Sequence, residues 1–257
     1  MDKEMKLPKR LMDQLVNEKY ELDNIGCSDS SIIIFSDKVL KIEKQSEESD
    51  NEHRMYQWLQ GKLPIPMVYE SFCEQGYNYL LMSRLEGEMV CSEHNLSSPD
   101  KVIRYLVNGL KILWNIPIIE CPVVNSLDNK LRLAKERIDK NLIDMNEFEP
   151  ETFGEDGFSS IEELYDYLVK NKPMEEYTLI HGDYCLPNIF VVDDKISGYI
   201  DLGRSGIGDK WQDIALCVRS LKHNFHSDAY CSQFFEELGI EYDEEKVKYY
   251  ILLDELF

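Results

Sequence analysis

The sequence predicts an α+β protein of two lobes, a small antiparallel-sheet lobe over residues 1–87 and a mainly helical lobe over 88–257. Three observations predict it. Short β-branched runs bounded by turn residues crowd into the first third of the chain. From Asp100 onward apolar residues recur at three- and four-residue steps, the period of helices that bury one face. A single pair of strand-like runs, Ile189–Val192 and Ile196–Ile200, interrupts those helices around Asp193-Asp194-Lys195, which reads as a β-hairpin. With 257 residues the chain can bury a large core in one domain or two lobes.

The elements follow in order. A polar opening helix covers Pro8–Tyr20, and Gly26-Cys27-Ser28-Asp29-Ser30 forms a short loop that is neither a Walker A motif nor G-x-G-x-x-G. Ser30–Phe35 and Lys38–Ile42 flank Ser36-Asp37 as a hairpin, with Lys41 near the end of its second run. Ser49–Leu59 is a helix by the spacing of Glu52, Met55, Tyr56 and Leu59. Pro64 and Pro66 close that segment, and Met67–Phe72 and Tyr77–Met82 add two strands. Ser83–Gly87 then reads as a hinge whose cleft would seat a nucleotide base.

In the second lobe Ser98-Pro99 starts a helix over Asp100–Trp114, and Ser126–Leu142 continues in kind. Ser160 and Glu163 have capping-box spacing at the head of Ile161–Lys170. Between the last two helices, Asp144–Gly157 is an acidic run, either a solvated connector or a lid for ammonium groups. Helices over Asp209–Lys222, with Asp213 in its inward face, and over Asp243–Leu256 end the chain.

Charge and cysteine usage narrow the function. With 49 Asp+Glu against 28 Lys+Arg the net charge is −21, which argues against nucleic acid or an anionic membrane as partner. A polycationic ligand would be welcome, although acidity also serves solubility. No apolar run approaches a membrane span and Met1–Leu7 is too charged to begin a secretory signal, so a cytoplasmic location is expected. Seven cysteines without a C-x-x-C pair suggest reduced, mostly buried thiols rather than disulfides or zinc. The sequence does not speak to oligomeric state.

The chemistry lies in HGDYCLPNIFVVDDKISGYIDLG, residues 181–203. A hairpin brings its outer ends side by side, so Asp183, Asn188 and Asp201 should converge. A carboxylate and an amide oxygen suit a hard cation such as Mg2+, which also takes phosphate oxygens and water, and Asp183 is left to receive a hydroxyl proton. Asp, four residues, Asn, and then Asp-Leu-Gly repeats the order of the protein-kinase catalytic loop and metal site. The bland reading is an acidic hairpin whose Asp and Asn serve turns. Lys41 and Glu52 are placed to pair, which would hold an ammonium at the α- and β-phosphates of ATP. Alone, each has a plainer role, as a solvated strand lysine and a helix-dipole acid.

Beyond these spacings, residues 181–221 together with WLQGKLPIP, YLLMSRLEG, NSLDNKL and the ending KVKYYILLDELF resemble the aminoglycoside 3'-phosphotransferases, or kanamycin kinases, over nearly the whole chain. The resemblance implies a two-lobed protein-kinase-like fold, MgATP in the cleft and a cationic antibiotic as acceptor. It makes Asp183 the catalytic base, Asn188 and Asp201 the Mg2+ ligands, Lys41 the phosphate-binding lysine and Glu52 its orienting partner. Ser28 matches a serine near the terminal phosphates, while Ser83 and Leu85 match the hinge beside adenine. Val39 stands where some close relatives carry an adenine-stacking tyrosine, which keeps GTP open beside ATP. On the acceptor side the resemblance points to Arg204, Asp254, Glu255 and the Phe257 carboxylate. Glu149 and Glu151 are the acids of the acidic run assigned to substrate, and His181 and Asp213 would brace the loop.

The expected activity is transfer of the γ-phosphoryl group to an aminoglycoside hydroxyl, the 3'-OH by resemblance, conferring resistance. Two rivals remain: a kinase of the same fold acting on choline, a sugar or a macrolide, and a nucleotide-binding module without catalysis.

Overall fold

The computed structural model describes residues 7–15, 18–23, 30–145, 148–154 and 157–257. The loop serine Ser28 lies outside the described residues. The first lobe runs α1 (Lys9–Leu15), β1 (Glu21–Asp23), β2 (Ser31–Ile34), β3 (Lys38–Lys44), α2 (Glu47–Leu59), β4 (Val68–Glu74) and β5 (Tyr77–Ser83). Its strands form one antiparallel sheet in the order β1-β2-β3-β5-β4. Alternation along β3 decides what each side chain meets. Leu40 and Ile42 join Ile33, Phe35 and Leu81 in a small core under Leu11 and Leu15 of α1. Lys41, between them, is therefore sent to the opposite face, where α2 packs. The lysine sits in mid-strand rather than near its end, because β3 continues to Lys44.

The opening helix is shorter than Pro8–Tyr20: it stops at Leu15, and β1 follows. A three-residue strand whose Glu21 and Leu22 are exposed has no alternation to read, and only pairing with β2 defines it. α2 starts earlier than its apolar spacing suggests. Ser46 Oγ accepts the Ser49 N–H at 3.0 Å while Ser49 Oγ accepts the Ser46 N–H at 2.8 Å, and Glu47, Glu48 and Asp50 complement the dipole.

The chain then leaves the sheet through β6 (Glu88–Met89), α3 (Glu93–Leu96), α4 (Pro99–Trp114), α5 (Leu127–Asp139), α6 (Ile161–Lys170), β7 (Tyr177–Ile180), β8 (Ile189–Val192), β9 (Lys195–Tyr199), β10 (Gly206–Asp209), α7 (Lys210–Phe225), α8 (Ala229–Leu238) and α9 (Glu244–Asp254). The expected hairpin is β8–β9, extended by β6 into three strands. Asp193 and Asp194 both have positive φ, 49° and 58°, the mirror-image turn whose twist matches paired strands. A continuous core runs from Met55, Tyr56 and Leu59 of α2 through Leu80 and Met82 of β5 into α4, α7 and α9. The two lobes thus share buried apolar surface beneath the cleft.

Two readings need correction. At the head of α6, Ser160 caps the Glu163 N–H at 3.2 Å, but the Glu163 carboxylate accepts from the N–H of Ser159 at 2.7 Å instead of that of Ser160. The box is half formed because Ser159 offers both an amide and a hydroxyl to the acid. The described cysteines are all free, yet only Cys217 is buried; Cys73 is exposed and the other four are half-buried. Cys73 lies on the sheet-edge strand β4, and Cys91, Cys121 and Cys185 lie outside the helices and strands, where less of the protein covers a side chain.

Below the hairpin, β7 pairs with β10, and Glu176 at its foot gathers Lys210 at 2.6 Å, Lys246 at 3.3 Å and Trp211 Nε1 at 3.0 Å. The bond from Lys210, helped by Trp211 and Lys246, holds the Glu176 carboxyl at about 2. A depressed carboxyl contributes stability above its ordinary pKa and loses it as pH falls towards the folded value. Glu176→Gln should therefore cost on the order of 1 kcal/mol at pH 7, since the group is half exposed and screened. The difference from wild type should shrink as pH falls from about 4.5 towards 2, measured by urea unfolding at several pH values.

Candidate active site

The loop between β7 and β8 carries His181, Gly182, Asp183 and Asn188, and it is fastened from below. Asp213 of α7 accepts the N–H of His181 at 2.7 Å and of Gly182 at 2.8 Å, and Gln212 donates to the Gly182 carbonyl at 2.6 Å. Tyr184 and Tyr199 donate to the Leu106 and Gly109 carbonyls of α4 at 2.7 and 2.9 Å. His181 is fully buried, and burial lowers its pKa, so the ring is neutral. One tautomer serves both of its bonds: Nδ1 accepts the Asp183 N–H at 3.3 Å while Nε2–H donates to the Ile200 carbonyl at 2.9 Å. That second bond ties the loop to the far end of the hairpin. Gly182 has φ +88° and a Cβ there would lie 1.9 Å from the Arg204 carbonyl oxygen, so no side chain fits.

Asp183 and Asn188 come together directly. Asn188 Nδ2 donates to the Asp183 carboxylate at 2.9 Å and to its carbonyl at 3.0 Å, which leaves the Asn188 amide oxygen as the remaining donor atom. At the other hairpin end Asp201 takes a left-handed conformation, φ 63° and ψ 56°, which Asp tolerates better than most residues. Its carboxylate side chain is 52% exposed and lies 2.7 Å from Lys41 Nζ. Partial burial pushes the Asp201 carboxyl up, but the Lys41 ammonium outweighs it and holds the group below its ordinary value.

Lys41 also meets Glu52 at 2.8 Å, as the spacing predicts. Burial opposes the charged lysine, yet Glu52, Asp201 and Glu43 together raise its pKa well above normal. Glu52 is 1% exposed and burial pushes its carboxyl up against the pull of Lys41. Its second oxygen, Oε1, has no hydrogen bond among the described residues. Such a pair keeps one ammonium fixed at the mouth of the cleft, facing Asp201.

The segment after Asp201 is held by two amides that sequence reasoning missed. Asn51 of α2 donates to the Gly203 and Ser205 carbonyls at 2.6 and 3.0 Å, and Asn125 to those of Arg204 and Ser205 at 2.8 and 3.0 Å. A helix-interior Asn beside Glu52 was the signal available. Arg204 bridges Glu48 of α2 and Asp254 of α9, both at 3.1 Å, and Arg219 meets Asp254 at 2.5 Å. Asp254 is thus already neutralised by two guanidinium groups.

Glu255 faces the acidic run instead. It accepts the Glu149 N–H at 2.9 Å and the Thr152 hydroxyl at 2.8 Å, and burial followed by the nearby Glu149 charge raises its pKa. The part of that run in view is therefore docked on the C-terminus. Glu149 and Glu151 are both exposed; Glu147 lies outside the described residues. The Phe257 main-chain oxygen accepts from Arg137 at 2.6 Å. At the hinge, Ser83 N–H donates to the Met67 carbonyl at 2.8 Å and the Ser83 hydroxyl accepts the Met67 N–H at 2.9 Å, while the Leu85 side chain packs against Gly198 of β9.

A hard divalent cation fits the donors in view, one carboxylate and one amide oxygen at adjoining hairpin ends with the Ile200 N–H bonded to the Asn188 carbonyl at 3.1 Å between them. Among the described residues no group of three or more His, Cys, Asp or Glu could hold a metal, so a metal here would need phosphate and water oxygens to complete its shell. No described helix is long and apolar enough to cross a membrane.

Similarity to known proteins extends over most of the chain. A family model described as the phosphotransferase enzyme family matches residues 29–250. The chain is 44% identical over 211 residues to the aminoglycoside 3'-phosphotransferase of Enterococcus faecalis, covering 81% of this chain and 78% of that one. It is 37% identical over 242 residues to that of Campylobacter jejuni, covering 93% and 91%. Among solved structures, an aminoglycoside-3'-phosphotransferase of type VIII superposes with TM-score 0.82 at 23% identity, covering 96% of this chain and 97% of the other. A Streptomyces rimosus aminoglycoside phosphotransferase bound to ADP and streptomycin superposes with TM-score 0.77 at 21% identity, covering 96% and 95%.

Proposed function

The chain belongs to the aminoglycoside 3'-phosphotransferases of the phosphotransferase enzyme family, and on that premise we propose that it transfers the ATP γ-phosphoryl group to the 3'-hydroxyl of an aminoglycoside. The observation that carries phosphoryl transfer is the reach of Lys41 across the cleft to Asp201, 160 residues on, with Asn188 bonded to Asp183. The relatives at 37–44% identity carry the acceptor class.

In this reading Asp183 orients the acceptor hydroxyl and takes its proton late, because the transition state is loose and positioning dominates. Lys41, held charged by Glu52, meets the α- and β-phosphates and stabilises their charge. Asn188 and Asp201 would hold Mg2+, which supplies charge neutralisation at the transferred phosphoryl group. The Leu85 backbone would meet the nucleotide base, as the Ser83 N–H is already spent on Met67. Residues 1–87 would hold the nucleotide and 88–257 the acceptor.

Acceptor ammonium groups would be drawn to Glu149, Glu151, Glu255 and the Phe257 carboxylate. Glu255 is the foremost of these candidates, because it is not paired with a guanidinium as Asp254 is and its carboxylate lies beside the exposed Glu149, the two acids sharing one wall. Asp254 and Arg204 would act chiefly by shaping that wall. Glu255→Gln should raise the aminoglycoside KM roughly fivefold, the worth of about 1 kcal/mol, with the ATP KM unchanged. In wild type the aminoglycoside KM should rise with ionic strength. Equal changes in both KM values would point to a folding defect.

A coupled ADP-release assay with an aminoglycoside panel, run with and without Mg2+, tests the whole proposal. Turnover with kanamycin but not with its 3'-deoxy analogues is expected, and choline, simple sugars and macrolides should be inert. Equal turnover of the 3'-deoxy compounds would reject the 3'-hydroxyl assignment.

A further inference from the structure

Beside the site, a cavity of about 450 Å3 opens between the start of α2, α5 and the C-terminus. Its wall carries six cationic side chains against three acidic ones, Glu47, Glu48 and Glu136, with Phe257 also in the lining, in a protein of net charge −21. Most of these cations have partners. Arg132 meets Glu136 at 2.6 Å and Glu47 at 3.6 Å, Lys140 meets Glu136 at 3.7 Å and Arg204 meets Glu48 at 3.1 Å. Arg137 donates to the Leu256 and Phe257 oxygens, and Arg54 is exposed to water.

Lys130 of α5 differs from all of them. It is 7% exposed, and among the described residues its ammonium makes no hydrogen bond or ion pair. It lies 5.6 Å from the centre of the Phe257 ring, the same ring that Arg204 approaches at 5.7 Å. Two like charges therefore converge on one aromatic side chain, and burial followed by the Arg204 charge pulls the Lys130 ammonium down to about 8, against the opposing charges of Asp254, Glu48 and Asp213, none of which lies within ion-pair distance. A buried ammonium without a direct hydrogen-bonded partner is costly, and a negative group in contact with it and with Arg204 would relieve both burdens. Arg204 can contribute: Nε and Nη1 are engaged by Glu48 and Asp254, which leaves the N–H groups of Nη2.

We propose that this cavity is an anion-binding site in which Lys130 and the Nη2 edge of Arg204 hold a small oxyanion of the phosphate or sulfate class. Its excess of cationic side chains makes the cavity different in chemistry from the Glu149–Glu255 part of the acceptor wall, with which it shares Arg204 and Phe257 as a border. Several donors around one centre favour a tetrahedral oxyanion over chloride. The inference does not depend on phosphoryl transfer, and its test reads binding rather than turnover.

Isothermal titration of nucleotide-free protein with inorganic phosphate, and separately with sulfate, at fixed ionic strength decides it. Wild type and Lys130→Arg should bind saturably, and Lys130→Met should bind at least about tenfold more weakly. Without anion, Lys130→Met should melt no lower than wild type, because a buried charge with no direct partner is gone; Lys130→Gln carries the same binding expectation should the methionine variant fold poorly. Binding of both anions supports a general oxyanion site, and binding of phosphate alone a phosphate-specific one. Phosphate binding unaltered by either neutral substitution would put the anion at the nucleotide cleft and overturn the proposal, as would no saturable binding by wild type.

Discussion

Asp183→Ala should lose turnover by on the order of 10^2-fold or more while unfolding at the wild-type temperature. The two halves of that expectation have separate causes. The loop is held by atoms the substitution leaves in place: the residue-183 N–H on His181 at 3.3 Å, its carbonyl under Asn188 at 3.0 Å, and the Asp213 clamp on residues 181 and 182. Only the carboxylate that accepts from Asn188 at 2.9 Å is removed. The loss should therefore fall on kcat, with the ATP KM nearly unchanged, as when an interaction made in the transition state is deleted. Steady-state kinetics with a matched thermal melt checks it; wild-type turnover in the variant would refute the role of Asp183.

Lys41→Met should strike both activity and stability. Activity falls by on the order of 10^2-fold because a fixed cation at the phosphates is lost. Stability falls because Glu52, 1% exposed, is left with no partner for Oε2 when Oε1 already has none among the described residues. Breaking a buried pair from one side costs about 3–5 kcal/mol. The variant can escape part of this by protonating Glu52. A carboxyl whose folded pKa lies above its unfolded value makes the folded state bind the extra proton, so stability falls as pH rises through that interval. The penalty should accordingly be smallest near pH 5 and grow towards pH 8. Adding Glu52→Met should recover stability without activity, since an apolar pair of similar volume replaces the ions. Recovery of both would mean that Lys41 serves only the fold.

What the sequence determined by itself is whatever local chemistry decides. The hairpin turn was legible because Asp193 and Asp194 favour positive φ, and α4, α6 and α7 because their apolar period continues for several turns. Asp183, Asn188 and Asp201 were legible because a hairpin converts a separation in sequence into proximity. The pairing of Lys41 with Glu52 followed from a strand leading into a helix. The short strands β1, β6, β7 and β10 were not legible, since two to four residues carry no period and exist through their partners.

Only the tertiary structure decided how the charges are spent. Composition counts 49 acids, but whether an acid can greet a cationic substrate depends on what already touches it. Asp254 is taken by Arg204 and Arg219, Glu255 sits beside Glu149, and among the described residues Lys130 is left without a direct ion-pair partner. These groups come from α5, α7, α9 and the segment after Asp201, far apart in the chain. Electrostatic energy depends on distance and burial, and neither is a property of a residue's position in sequence.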